Sequence, residues 1–372
     1  MHPEELQTGR PATLLPELDV KLQNARVAVS KSRLDEATTA FEDIKRRARR
    51  YGLRDYEARA EQGLALVAER SSDIDDALQR YQRAKQLLAR EPLHLQADAV
   101  AGEARCYHIQ GEKTHAIYLL ETFLHNLKKE GLEDPDALIR IRTTLVITYR
   151  EAGYHRQAAE VAELALALES RVKNPARLGQ MHNMVARSLL DTGQISRAEE
   201  SLRKAAHFYE LADLELELGR ARLARGILLK ERGRLSQARK ELSAALSVFV
   251  GVSSIDEARA NNELSAVERQ SGNPDAALLL ASAAISIGRD ANVAELARSH
   301  RERGLALAGR DLRSARASLE EAIELFTRAE ERVEAALTHA YLGDLLAPRN
   351  QKQAMTAYRR GLAIFESQRA SS

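Results

Sequence analysis

Residues 225–238 read RGILLKERGRLSQA, residues 185–198 read VARSLLDTGQISRA, and residues 145–158 read LVITYREAGYHRQA. Each stretch is a helical run, a glycine (Gly233, Gly193, Gly153), four further residues, and then an alanine (Ala238, Ala198, Ala158). Working outward, the same alanine position recurs at Ala37, Ala77, Ala116, Ala158, Ala198, Ala238, Ala277, Ala315 and Ala354, at regular spacing. Nine units thus cover nearly all of the 372 residues. Self-similarity at such a period marks stacked supersecondary units, each too small to bury its apolar face alone.

Four residues after the alanine stand Phe41, Tyr81, Leu120, Ala162, Leu202, Leu242, Ala281, Leu319 and Tyr358. Seven residues after it stand Ile44, Ala84, Phe123, Ala165, Ala205, Ala245, Ala284, Ala322 and Gly361. Offsets of zero, four and seven share one helix face. Small side chains there let a neighbouring helix come close, and the larger ones fill the gaps. Twelve residues before the alanine, small residues dominate again at Ala25, Ala65, Ala104, Ala186, Gly226 and Ser265. The unit is therefore two helices whose facing sides are lined by small residues. Gly111, Gly153, Gly193, Gly233 and Gly272 sit where the first helix must stop. Asp35, Asp73 or Asp75 and Ser196 are placed to cap the second helix, and Pro274 suits a helix start.

Composition agrees with helices. Apolar residues are 44% and charged residues 30%, with 8 Pro, 6 Phe, 10 Tyr and no Trp, which excludes a disordered chain. Lys and Arg total 56 against 54 Asp and Glu, so no global charge calls for a polyanionic partner. A single Cys106 excludes an intrachain disulfide framework and a cysteine zinc site, and it suits a reducing cytoplasm. Met1 to Pro16 lacks the apolar stretch of an export signal, and no run approaches the roughly 18 apolar residues of a membrane span.

The pattern resembles the tetratricopeptide repeat family, whose signature is a small and an aromatic residue in the first helix, a turn glycine, and then alanine, aromatic and alanine in the second. Tyr107 and Tyr149 fall at the aromatic position of the first helix, with Leu189, Leu229 and Leu345 as substitutes elsewhere. Two features depart from that signature: the period, about 40 residues, is longer than the standard repeat, and the proline that usually closes each repeat is missing. Both are similar to the long-period arrays of bacterial peptide-sensing regulators and signalling adaptors. The first, eighth and ninth units carry Ser32, Arg310 and Arg349 at the turn position, as atypical capping units would. The expected fold is all-α: a right-handed superhelical solenoid of about nine antiparallel helix pairs. The resemblance implies that the first helix of each pair lines the concave side. Residues 17–368 are expected to form one continuous array, with a flexible segment at 1–16 and a loose terminus at 369–372.

Chemistry-bearing motifs are lacking. The chain has no phosphate-binding glycine loop, no H-E-x-x-H, no G-x-S-x-G and no calcium loop, so we expect neither an enzyme nor a cofactor. Cys106 beside Arg105 reads as a buried helix-face thiol. His300 and His339, one repeat apart at equivalent positions, do not make a metal site without further ligands. The basic run Arg46, Arg47, Arg49, Arg50 reads as a solvated helix end before Tyr51 and Gly52, because cations there complement the helix dipole.

The stripe lying eighteen, fifteen, eleven and eight positions before the alanine is expected to face the groove. In units four to seven it reads Arg140, Thr143, Ile147, Arg150; Gln180, Asn183, Arg187, Leu190; Arg220, Leu223, Ile227, Lys230; Arg259, Asn262, Ala266, Arg269. Seven of these sixteen are basic and none is acidic, where the average of 56 in 372 predicts two or three. The expectation is a basic channel on a nearly neutral protein. Gln180, Asn183 and Asn262 would grip a peptide backbone, and Arg140, Arg150, Arg187, Arg220, Lys230, Arg259 and Arg269 would read carboxylates.

The leading functional expectation is a cytoplasmic, non-enzymatic adaptor or sensor that binds a protein or acidic peptide, with self-association left open and no membrane role. The alternative is a nucleic-acid-binding solenoid, with Arg26, Arg59, Arg105 and the central arginines on phosphates, or the regulatory arm of a transcription factor. Against the nucleic-acid reading stand the net charge of +2 and the lack of groove aromatics for base stacking.

Overall fold

In the computed structural model, residues 13–31, 33–288 and 292–369 are described, and among them the chain is entirely helices and connecting turns. It separates into two compact units divided between Leu214 and Glu215. The first unit contains five pairs: α1 (Leu14–Ser30) with α2 (Leu34–Arg50), α3 (Arg54–Arg70) with α4 (Ile74–Leu87), α5 (Ala97–Ile109) with α6 (Lys113–Lys129), α7 (Pro135–Glu151) with α8 (His155–Leu166), and α9 (Pro175–Asp191) with α10 (Ile195–Leu211). The second contains four: α11 (Glu215–Glu231) with α12 (Leu235–Phe249), α13 (Ser254–Gln270) with α14 (Pro274–Gly288), α15 (Val293–Leu307) with α16 (Leu312–Arg328), and α17 (Arg332–Leu346) with α18 (Gln351–Arg369). Short 3-10 turns at Leu93–Gln96 and Glu169–Arg171 precede α5 and α9.

The helices start and stop for local reasons. Gly111, Gly153, Gly193, Gly233 and Gly272 have φ between +70° and +87°, the left-handed geometry that an L side chain resists. Ser72 occupies the same place at φ 64° without glycine. Of the expected caps, Asp73 accepts from the Asp76 N–H, and Pro274 opens α14. Asp35, Asp75 and Ser196 instead lie inside the first turns of α2, α4 and α10. Further caps come from Asp134, Asn174, Ser253, Asn292, Asp311 and Asn350 on other helices. The first helix begins at Leu14, so Leu14 to Pro16 are helical; residues 1–12, Ser32 and residues 370–372 lie outside the described residues.

Each pair closes on the predicted small residues. Eight of the nine slot alanines are 0% exposed and Ala354 is 2% exposed. At Gly226 an added Cβ would stand 2.6 Å from Leu242 Cγ, so α11 and α12 pack too closely there for any side chain. Ser265 is accommodated differently: its hydroxyl donates to the Ala277 carbonyl at 2.8 Å, satisfying a polar group in the contact. Successive first helices also pack on each other, α1 on α3, α3 on α5, α5 on α7 and α7 on α9 in the first unit, and α11 on α13 on α15 in the second. They form one layer of each stack.

Gly226→Val is expected to destabilise the protein by about 1–3 kcal/mol through overpacking. Gly309→Ala has nothing within 4 Å of the new Cβ and is expected to stay within roughly 0.5 kcal/mol of the parent. Denaturant unfolding of both variants checks this, and equal midpoints would contradict the close-contact reading.

Candidate functional site

The expected basic stripe lies on the first helices, but its cations are not unopposed. In the first unit the Arg140 Nε donates to Asp98 at 2.8 Å, and its Nη1 donates to Gln180 at 3.3 Å. Arg150 makes a two-pronged pair with Asp191, with the Nη2 bond at 3.1 Å. In the second unit Arg220 donates to Asp256 at 2.9 Å and Lys230 to Glu263 at 2.6 Å. Arg259 stands 3.9 Å from Glu295, and Arg269 donates to Glu302 at 3.4 Å. Every one of these acids sits on the first helix of an adjacent pair. The expected open cationic channel is therefore corrected to a set of ion pairs that tie neighbouring first helices together. The reason is geometric: a stripe read along one helix omits the acidic flank of the helix that faces it.

Depth divides the stripe further. Thr143, Leu223 and Asn262, which share the second position of the stripe in their units, are buried. The Asn262 Nδ2 is taken up by the Glu295 carbonyl at 3.3 Å, so that amide is not turned to a groove. Asn183 is half-buried, and Arg187, Arg220 and Arg259 are exposed. Burial raises the Glu302 carboxyl, opposed by Arg269 and Arg301.

The first unit has a polar concavity, a cavity of about 300 Å³, lined by residues of α1, α3, α5, α7 and α9. Its floor is Asp98. Burial would raise that carboxyl, but Arg140, Arg177 and Arg26 hold it down at about 2. Arg177 comes within 3.5 Å of Asp98 and donates to the Asp136 carbonyl at 2.8 Å. Arg59 lies over the Tyr56 ring, 5.2 Å from its centre, and 3.9 Å from Asp19, which accepts the Tyr56 hydroxyl at 2.8 Å. Arg26, exposed at the cavity, makes no ion pair within 4.0 Å among the described residues. Asp55 and Asp134 add carboxylates to the wall, with Asp134 occupied in capping α7. The cavity offers both cationic forks and carboxylates, an arrangement suited to a molecule carrying both charges or to peptide groups.

Asp98 and Arg177 were missed from the sequence. The signal was present: at the first position of the stripe, units one to five carry Asp19, Arg59, Asp98, Arg140 and Gln180, the first four alternating in charge. Reading only units four to seven hid the acidic members.

Other sequence candidates have structural roles. Cys106 is fully buried, and burial pushes its thiol up to about 12, far from a reactive thiolate. In the basic run, Arg46 pairs with Asp43, Arg47 with Glu17 and Arg49 with Glu57, while Arg50 lies over the Tyr51 ring. His339 is buried, which lowers its pKa, and among the described residues no group of three His, Cys, Asp or Glu is arranged to hold a metal ion. No described helix is long and apolar enough to cross a membrane.

No family model and no curated protein matches the sequence. Solved structures do match. The chain aligns with the apo form of RapI at TM-score 0.68 and 15% identity, covering 95% of this chain and 98% of RapI. A Rap protein complexed with Competence and Sporulation Factor aligns at TM-score 0.59 and 16% identity, covering 95% and 98% of the two chains. A STAND protein with a tetratricopeptide repeat sensor from Pyrococcus horikoshii aligns at TM-score 0.64 and 14% identity, over 92% of this chain and 54% of that one. At these identities the likeness is one of fold: the chain has the all-α, paired-helix fold of tetratricopeptide-repeat proteins.

Proposed function

We propose that this protein is a non-catalytic regulatory adaptor or sensor that holds a short acidic peptide, or an acidic segment of a protein, against the inner helices of its first unit. The observation that carries the reading is Arg26: an exposed guanidinium with no ion pair among the described residues, at a cavity whose deeper charges Asp98, Arg140 and Arg177 already satisfy one another. A preorganised floor with one exposed cation at the rim, outside the ion pairs, binds an anion without first breaking a native pair. Arg59 is the second contact, because its pairs with Asp19 and Asp55 are long, at 3.9 and 3.7 Å, and it stays exposed. Gln180, Asn183 and Arg187 continue the surface along α9, and Arg220 and Arg259 are the corresponding exposed groove residues of the second unit.

Fold neighbours named as carrying a tetratricopeptide repeat sensor and as complexed with Competence and Sporulation Factor support a recognition role. The pairing of the central arginines weighs against a phosphate-tracking groove, since each nucleic-acid contact would have to compete with a carboxylate. A panel of fluorescently labelled short acidic peptides, read by anisotropy, tests the assignment. Arg26→Glu and Arg59→Glu are each expected to weaken binding about tenfold or more, as losing a charge-assisted fork does. Full affinity in both variants, or equal affinity for a labelled single-stranded oligonucleotide, would contradict it. A second expectation concerns Asp98. Its carboxyl is lowered on folding, so its contribution is present above the unfolded value of 3.8 and is lost as pH falls toward about 2. Asp98→Asn should therefore reduce stability at neutral pH and converge with the parent at the acidic end, in unfolding curves taken across that range.

A further inference from the structure

Among the described residues, α18 carries an uncovered face whose composition is complementary to itself. In two pairs of the second unit, the residues eight and eleven positions after the slot alanine belong to the apolar packing around the second helix. In α12 these are Leu246, half-buried, and Phe249, fully buried; in α16 they are Ile323, half-buried, and Phe326, fully buried. Ile323 joins a cluster with Leu342 and Leu346 of the following first helix, α17, and Phe326 joins one with Ala335 of the same helix. The equivalents in α18 are Leu362 and Phe365, and they are 56% and 37% exposed. Met355, one position after the slot, is 52% exposed. Its equivalent in α12 is Arg239, which reaches forward to Glu268 on α13, so this position too faces the next first helix.

Met355, Arg359, Leu362 and Glu366 follow one another at steps of four, three and four residues, which places them on one seam of α18. Arg359 and Glu366 are both exposed, and neither makes an ion pair within 4.0 Å among the described residues, in a protein whose inner arginines are mostly paired. The same helix pair also exposes Val333, Leu337 and Tyr341, at 44%, 41% and 38%, along one face of α17. At these exposures the six large side chains leave on the order of 450 Å² in water, given the roughly 150–250 Å² of a large aromatic. Met355, Leu362 and Phe365 on α18 itself supply about half of that area.

We propose that this face is a self-association surface, on which α18 packs antiparallel against α18 of a second copy. Leu362 meets the partner copy's equivalent near the two-fold axis. Arg359 lies opposite the copy's acidic seam position and Glu366 opposite its basic one, so the symmetric arrangement makes the same ion pair twice. A two-fold interface demands such self-complementarity, because every contact occurs in both directions. Unlike a chance apolar end, the seam places its two unspent charges at the spacing that antiparallel pairing requires.

Sedimentation velocity of the full chain over a concentration series tests this. The parent is expected to dimerise in the micromolar range, and Leu362→Asp to sediment as a monomer. Arg359→Glu and Glu366→Arg are each expected to weaken dimerisation about tenfold or more by setting like charges opposite each other. Mixing those two single variants should restore a dimer, since Glu at 359 of one then faces Arg at 366 of the other. The doubly exchanged Arg359→Glu, Glu366→Arg chain should likewise dimerise alone. Circular dichroism of each variant separates lost association from lost folding. A parent that stays monomeric at the highest concentration, a dimer indifferent to both single exchanges, or failure of the mixture to reassociate would overturn the proposal. The last two outcomes would assign the face to a different helix.

Discussion

The structure depends on how closely the two helices of a pair can approach. An alanine at the slot, a small residue seven positions later and another twelve positions earlier bring the helices together, and the larger side chain between them fills what remains. Where a glycine stands at the contact, as at Gly226 against Leu242, even a Cβ does not fit. Dense packing of this kind makes the pair a rigid body with one preferred geometry. Within each unit, repetition of the pair then fixes where the first helices lie, because successive first helices also pack on one another. The inner wall is thus a consequence of alanines on the far side of the same helices.

A fixed spacing between first helices lets charge act as a register device. Arg140 and Asp98, Lys230 and Glu263, and Arg269 and Glu302 join helices that lie one repeat apart in sequence but side by side in the stack. Partly exposed pairs of this type add only about 0–1 kcal/mol each, so their main effect is on alignment. A misaligned neighbour would leave a cation beside a cation. The same ladder decides what the wall can recognise. Charges spent on each other are poor ligand contacts, so in the proposed reading the selectivity falls to the few cations outside those pairs, Arg26 foremost.

How legible this was in the sequence follows from the range of each interaction. The helix pairs were readable because every determinant, from the turn glycine to the slot alanine, lies within some twenty residues of its partner. The charge pattern was not, because its partners lie one full repeat away: Arg140 looks unopposed until Asp98, a whole unit earlier, is placed beside it. Fixed offsets also failed at the end of the array. The turns before α16 and α18 contain four residues, where those before α12 and α14 contain three. The close-contact glycines there, Gly304 against Leu319 and Gly343 against Tyr358, accordingly stand eleven rather than twelve residues before their alanines. Caps were also elusive, since Asp35 and Asp73 look alike in sequence and only the second precedes its helix by one residue.

Recognition on an inner wall built from first helices has one direct physical signature. Hydrogen–deuterium exchange of the protein with and without a saturating acidic peptide would locate the ligand by backbone protection. The account requires protection concentrated in α1, α3 and α5, which carry Arg26, Arg59 and Asp98, with α2, α4 and α6 exchanging as before. Protection confined to those second helices, or to neither layer of the first unit, would contradict it.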